Sequence, residues 1–201
     1  KVVVLSNPVD AKLINEKIEG SSSPYPQNGK KHFVASGRFA YQKGFDMLVN
    51  AFAEVLKVRD DVDLFILGAN DGDYELEYKR VWKIVSDAKL ENVIHCVGFQ
   101  KNPYTYIRYA DCFVLSSRWE GLPNVLIEAL YLGTPVAAFK CVPVVERIVK
   151  DRVNGYLADK NDLNSLKNAM CAAVNLGRVE CNYKGADGES FRELFVNFEC
   201  D

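Results

Sequence analysis

From residue 33 onward, short runs of apolar and β-branched residues alternate with longer stretches whose apolar positions recur at helical spacing. FVASG (33–37), DLFILG (63–68), VIHCVG (93–98), CFVLSS (112–117) and PVAAF (135–139) read as strands, each almost wholly apolar and bounded by turn residues. GFDMLVNAFAEVLK (44–57) reads as a helix with Met47, Leu48, Ala51, Phe52 and Val55 on one face. Further helices are expected from about Asp73 to Lys89, near Pro103 to Tyr109, and from Pro123 to Leu132. Strands that are apolar on both faces need cover on both. The alternation therefore predicts a parallel sheet between helices, the doubly wound α/β class. In such sheets ligands bind at the carboxyl ends of the strands, so a site must come from loops 37–43, 68–73, 98–102, 116–122 and 139–143.

Two segments fall outside this repeat. Residues 19–31 (EGSSSPYPQNGKK) are rich in Ser, Pro and Gly and read as a linker or flexible loop. The tail from 178 to 201 is polar until Phe191, Leu194, Phe195 and Phe198 return at helical spacing, a stripe expected to pack on a domain. The repeat itself, residues 32–177, is one domain in size. The chain opens in a strand-like run, Lys1 to Leu5, with no initiator Met, so an upstream region is expected to precede it.

Composition narrows the function. Apolar residues make up 48% of the chain, enough for a core, and the net charge of -2 speaks against a nucleic-acid binder. No apolar run approaches the roughly 18 residues of a membrane span. Six cysteines (Cys96, Cys112, Cys141, Cys171, Cys181, Cys200) form no CxxC pair, and three read as lying inside apolar strand-like runs. They read as free thiols of a reducing compartment, which points to the cytoplasm. His32 and His95 lie beside strands without partners nearby, and no metal-ligand spacing is present.

The segment that carries chemistry is SSRWEGLPNVLIEALYLGTPV (116–136). Pro123 suits the first position of a helix, and Gly133 before Thr134-Pro135 suits its end. Its entry loop leaves a strand directly, so the helix N-terminus lies at the ligand edge. Free N–H groups around Gly121, Leu122, Asn124 and Val125 would form an anion site suited to a diphosphate, with Gly121 leaving room for close backbone approach. Glu120 precedes the helix, and Glu128 lies five residues beyond Pro123, about 7.5 Å along the axis. Carboxylates repel phosphate but accept hydrogen bonds from hydroxyls. A nucleotide sugar has hydroxyls on both sides of its diphosphate, so one carboxylate could hold the sugar and the other the ribose. As isolated residues the two would read as a loop charge and a solvated helix residue; Glu128, between Ile127 and Ala129, fits that reading poorly.

The pattern EGLPNVLIEAL…GTPV, with seven residues between two glutamates, resembles the signature of the GT-B retaining glycosyltransferases (glycosyl transferases group 1, family 4-like). The likeness runs from SNPVD (6–10) through GRFAYQKGFDMLVNAF (37–52) and YADCFVLSS (109–117) to about residue 175, so the chain resembles the C-terminal, donor-binding Rossmann-like half of a GT-B fold. SNPVD resembles the segment joining the two halves, which makes 1–18 the end of an interdomain segment. The resemblance implies that Arg38 and Lys43 grip the donor diphosphate, Glu120 contacts the transferred sugar and Glu128 the ribose. It places the nucleobase near VGFQKN (97–102), against main-chain groups around Phe99, with Leu122, Pro123, Asn124 and Val125 lining the donor site. The implied donor is a UDP-sugar first and a GDP-sugar second, carrying a hexose or N-acetylhexosamine. The implied acceptor is a glycan or lipid-linked molecule of polysaccharide or lipopolysaccharide biosynthesis, bound by an N-terminal domain. The implied reaction needs neither metal nor cofactor. The implied location is the cytoplasm, peripheral at the inner face of the membrane through that domain, and this half alone is expected to be inactive.

Rival readings rest on fewer residues. Asp61-Val62-Asp63 enters a strand, at the wrong edge for a metal-held diphosphate; Asp71-Gly72-Asp73 leaves one, but Asp73 suits a helix N-cap. A dinucleotide oxidoreductase would want GxGxxG where GRFAYQKG stands. A sugar-nucleotide-binding module or an epimerase on the same fold would use the same site without transfer. The loop KCVPVVERI (140–148) departs from the family pattern. Glu146 matches its acid, but Val144 and Val145 stand where small residues are usual.

Overall fold

The computed structural model describes residues 9–180, and the strand-like run at Lys1–Leu5 and the apolar stripe at 191–198 lie outside them. Among the described residues six strands form one parallel sheet: β1 (Lys31–Ser36), β2 (Val62–Leu67), β3 (Ile94–Gly98), β4 (Cys112–Leu115), β5 (Val136–Phe139) and β6 (Gly155–Ala158). Their order across the sheet is β3-β2-β1-β4-β5-β6, the doubly wound arrangement. The central strands are buried at nearly every position, which requires cover on both faces.

That cover comes from α1 (Ala11–Ile18), α2 (Phe45–Leu56), α3 (Glu75–Asp87), α4 (Pro103–Tyr109), α5 (Asn124–Tyr131), α6 (Pro143–Ile148) and α7 (Leu163–Ala173). Helix α2 packs between α3 and α7, and α4 between α1 and α5. Helix α2 buries Phe45, Leu48, Val49, Ala51, Phe52 and Val55, the broad apolar face its sequence spells out. Each large side chain removed from water there stabilises the fold by about 1.5–3 kcal/mol.

Several expectations are corrected. Residues 19–31 are not a free linker. Tyr25 is buried (6% exposed), stacks on His32 at 4.4 Å and donates its hydroxyl to the carbonyl of Tyr106 at 2.7 Å. The Tyr109 hydroxyl donates to the Ser21 carbonyl at 2.6 Å, and Asn28 and Lys30 bond to Asp63, so several contacts tie this loop to α4 and the sheet. The histidines also have neighbours. His32 lies within β1 against Tyr25 and Phe65, its backbone N–H donating to Asp111, and His95 lies within β3 against Phe65 at 4.5 Å. Asp73 is no N-cap. A 3-10 turn, Gly72–Tyr74, intervenes, and α3 starts at Glu75 without a side-chain cap. Pro123 stands at the cap position of α5 rather than at its first helical residue.

Candidate functional site

Strands β1 and β4 are neighbours, yet the chain leaves them toward opposite halves of the sheet. The loops that follow them part and leave a crevice at this switch point. The loop after β1 carries Arg38 and a 3-10 turn, Tyr41–Lys43, which ends on Gly44 at φ +64°. Glycine is needed there on two counts: the conformation is left-handed, and a Cβ would stand 2.2 Å from the carbonyl oxygen of Ser116. The loop after β4, residues 116–123, touches it closely, with Ser116 Oγ donating to the Lys43 carbonyl at 2.9 Å. Gly68, after β2, makes a comparable approach, since a Cβ there would lie 1.7 Å from the carbonyl oxygen of Gly37.

Between the two loops and α5 runs a groove of 370 Å³ lined by Arg38, Lys43, Glu120, Leu122, Pro123, Asn124, Val125 and Glu128. Eight of the ten residues singled out from the sequence therefore share one wall. Lys43 Nζ donates to Glu120 Oε1 at 2.7 Å, and Ser117 Oγ donates to the same oxygen at 2.6 Å. The pair is well enclosed, Lys43 being 17% and Glu120 7% exposed in their side chains. Lys43 is thus not a lone cation projecting into the groove; its charge rests on the glutamate beside it. Arg38 is exposed, with Nη1 donating to the Tyr74 hydroxyl at 3.3 Å and its guanidinium 5.8 Å from that ring.

Glu128 lies at the other end of the groove. Burial raises its carboxyl above the ordinary range, only partly offset by the hydroxyl of Tyr104, which donates to it at 3.4 Å. No cation neutralises it among the partners that shift it. A half-buried carboxylate with one long hydrogen bond is a group with acceptor capacity to spare.

A second cleft of 420 Å³ adjoins the groove and shares Ser36, Gly37, Arg38 and Pro103 with it. Its walls include Leu67, Gly68, Tyr74, Gln100 and Phe99, the last 71% exposed. Phe99 lies here rather than in the groove itself. A wider hollow, 680 Å³, lies away from the strand ends beside α1 and α4, with Glu16, Glu19 and Arg108 on its open walls.

Two details differ from the sequence reading. The N–H of Asn124 donates to the carbonyl of Leu122 at 3.0 Å, a tight three-residue turn through Pro123 that takes up one amide expected to be free for an anion. Gly121 is exposed and does not line the groove, and the space around its α-carbon is open. Tyr74 and Tyr104 were not singled out beforehand, although Tyr74 ends a strand-exit loop and could have been found by that placement. The Asp triplets serve other ends. Asp63 is buried and holds Lys30 at 2.8 Å and Asn28 at 3.1 Å, while Asp71 and Asp73 are exposed. Among the described residues no group of three His, Cys, Asp or Glu could hold a metal ion. Cys96, Cys112, Cys141 and Cys171 are free, and burial pushes the Cys96 thiol up to about 12. No helix among the described residues is long and apolar enough to cross a membrane.

Comparison with known proteins follows the same residues. The family model for glycosyl transferases group 1 matches residues 18–185. An uncharacterized glycosyltransferase of Methanocaldococcus jannaschii is 37% identical over 130 residues, 65% of this chain and 30% of that protein. The amylovoran biosynthesis glycosyltransferase of Erwinia amylovora is 34% identical over 126 residues, 63% of this chain and 33% of that protein. The chain thus spans about a third of the length of these relatives. An Anabaena protein solved in complex with UDP and glucose superposes with a TM-score of 0.71 at 17% identity, over 96% of this chain and 53% of its own, a likeness of fold. With a doubly wound sheet, a groove at its switch point and a family match over most of its length, the chain belongs to the glycosyl transferases group 1 family.

Proposed function

We propose that this domain binds the nucleotide sugar donor of a retaining glycosyltransferase. The whole protein would transfer a hexose or N-acetylhexosamine, from a UDP-sugar in preference to a GDP-sugar, to a glycan or lipid-linked acceptor of polysaccharide biosynthesis. The observation that carries this reading is the single groove joining Arg38, Lys43, Glu120, the start of α5 and Glu128, with an apolar cleft opening from one end. The base would occupy the cleft beside Phe99, the ribose hydroxyls would donate to Glu128, and the diphosphate would lie against Arg38 and Lys43. Glu120 would then accept from hydroxyls of the sugar. The Anabaena neighbour, solved with UDP and glucose, supports the choice of base. The relative that acts in amylovoran biosynthesis supports the acceptor class.

In the retaining reaction proposed here, the bond from the sugar's anomeric carbon to the diphosphate breaks as the acceptor oxygen attacks from the same face. The leaving phosphate oxygen takes the acceptor proton, so no protein nucleophile is needed. Arg38 and Lys43 would stabilise the charge growing on the departing diphosphate, contributions that can each reach several kcal/mol. The acceptor would be held by a separate N-terminal domain, and this chain alone would bind donor without transferring sugar. Calorimetry with UDP in the presence of chelator tests the core of the proposal. Binding is expected, because the exposed Arg38 and the amides at the start of α5 would face the diphosphate, with Lys43 shared between it and Glu120. Binding seen only with magnesium or manganese, or none at all, refutes it.

A further inference from the structure

The two loops that form the groove are joined by an ion-paired cluster set behind it. Asp46, in the first turn of α2, is buried at 8% exposure, and Arg118, two residues before Glu120, grips it bidentately: Nη1 to Oδ1 at 2.9 Å and Nη2 to Oδ2 at 2.6 Å. Arg80 from α3 adds a third contact at 3.0 Å and is itself held by Glu77 at 2.7 Å. Two guanidiniums face two carboxylates, so the cluster is neutral and leaves no uncompensated charge behind the groove. Arg118 does more than pair. Its Nη1 also donates to the Tyr41 carbonyl at 2.7 Å, its guanidinium stacks 3.8 Å from the Tyr41 ring centroid, and its N–H donates to the Gln42 carbonyl at 2.8 Å. Gln42 Nε2 returns a bond to the Trp119 carbonyl at 3.0 Å.

The contacts that Arg118 makes with Tyr41 and Gln42, and Gln42 with Trp119, lie next to the groove's ion pair in sequence. Tyr41 and Gln42 immediately precede Lys43; Arg118 and Trp119 immediately precede Glu120. We propose that Arg118, bolted to Asp46, is a positioning residue that sets Lys43 and Glu120 at bonding distance and so holds the phosphate and sugar ends of the groove in register. Its guanidinium never faces the groove. It acts by tying the tip of one loop to the root of the other, which a lysine could not do, because the planar fork is used in two directions at once. Its bearing on donor binding rests on the function proposed above, whereas its bearing on the Lys43–Glu120 pair does not.

Competitive labelling of amines, read by mass spectrometry residue by residue, tests it on the full chain. In Arg118→Met and in Asp46→Asn, Lys43 should label faster by about threefold, the scale of a partly screened ion pair, while Lys83, paired with Asp87 far along α3, keeps its wild-type rate. UDP affinity should fall in the same variants. A folded variant whose Lys43 labels at the wild-type rate overturns the proposal. Loss of the whole fold in both variants overturns it too, since the pair would then support the domain rather than the two loops. If UDP fails to bind the wild-type chain, the nucleotide reading fails, and the labelling still decides the role of Arg118.

Discussion

Replacing Glu128 by Gln should move ligand affinity and stability in opposite directions. In the free domain the carboxyl is raised by burial, with only the Tyr104 hydroxyl at 3.4 Å working against that. A carboxyl whose folded pKa lies above its unfolded value binds protons more readily in the folded state. Stability is therefore greatest below the unfolded value, falls as pH climbs toward the folded value, and stays lower above it. The wild-type domain takes on that penalty as pH rises through the folded value, and Glu128→Gln, which does not ionise, escapes it, so Tm at pH 7 should rise. The gain should vanish at a pH below the ordinary carboxylate range. UDP, by contrast, should lose charge-assisted bonds from its ribose hydroxyls to the carboxylate. Bonds to a charged acceptor contribute about 1.5–3 kcal/mol, so Kd should rise by roughly 10- to 150-fold, at 1.4 kcal/mol per decade. Thermal melts across pH and calorimetry with UDP measure the two arms. A variant whose Tm falls at pH 7, or whose UDP affinity stays at the wild-type value, refutes the assignment of Glu128 to the ribose.

Two further outcomes follow from the same geometry. Glu120→Gln should leave UDP binding within about twofold, because the lost ion pair frees Lys43 for phosphate and offsets what it costs in placement, yet should cut kcat of the complete enzyme with little change in KM; equal loss of UDP affinity in the Glu120 and Glu128 variants would contradict this division. Gly44→Ala should destabilise the domain by at least ~2 kcal/mol, combining a left-handed backbone position with a forced contact, and denaturation midpoints in urea that match wild type would show the loops are not packed as described.

Much of the fold was legible from local pattern. The five apolar runs are strands within two residues of their expected ends, and α4 spans Pro103–Tyr109 as read, since proline and the apolar period both act within a few residues. The reading left out α1, α6 and α7, and it also missed what is short or pinned from afar. Strand β6 has only four residues and becomes a strand by pairing with β5, which no window around GYLA reveals. The loop 19–31 looked free by composition, but Tyr25, Asn28 and Lys30 tie it to residues distant in sequence.

The site divides along the same line. Spacing around one helix start drew out Glu120 and Glu128, and the family resemblance drew out Arg38 and Lys43, whose strand-exit loop faces the ligand edge of a parallel sheet. Their chemistry in the groove depends on strand order, which brings the loops after β1 and β4 side by side although 77 residues separate Lys43 from Glu120. Only that adjacency makes Lys43 half of an ion pair rather than a lone cation. The contact between Arg118 and Asp46, 72 positions apart, arises in the same way. Periodicity records which face each residue presents to its own neighbours; which distant charge it meets is settled by the order in which the strands pair.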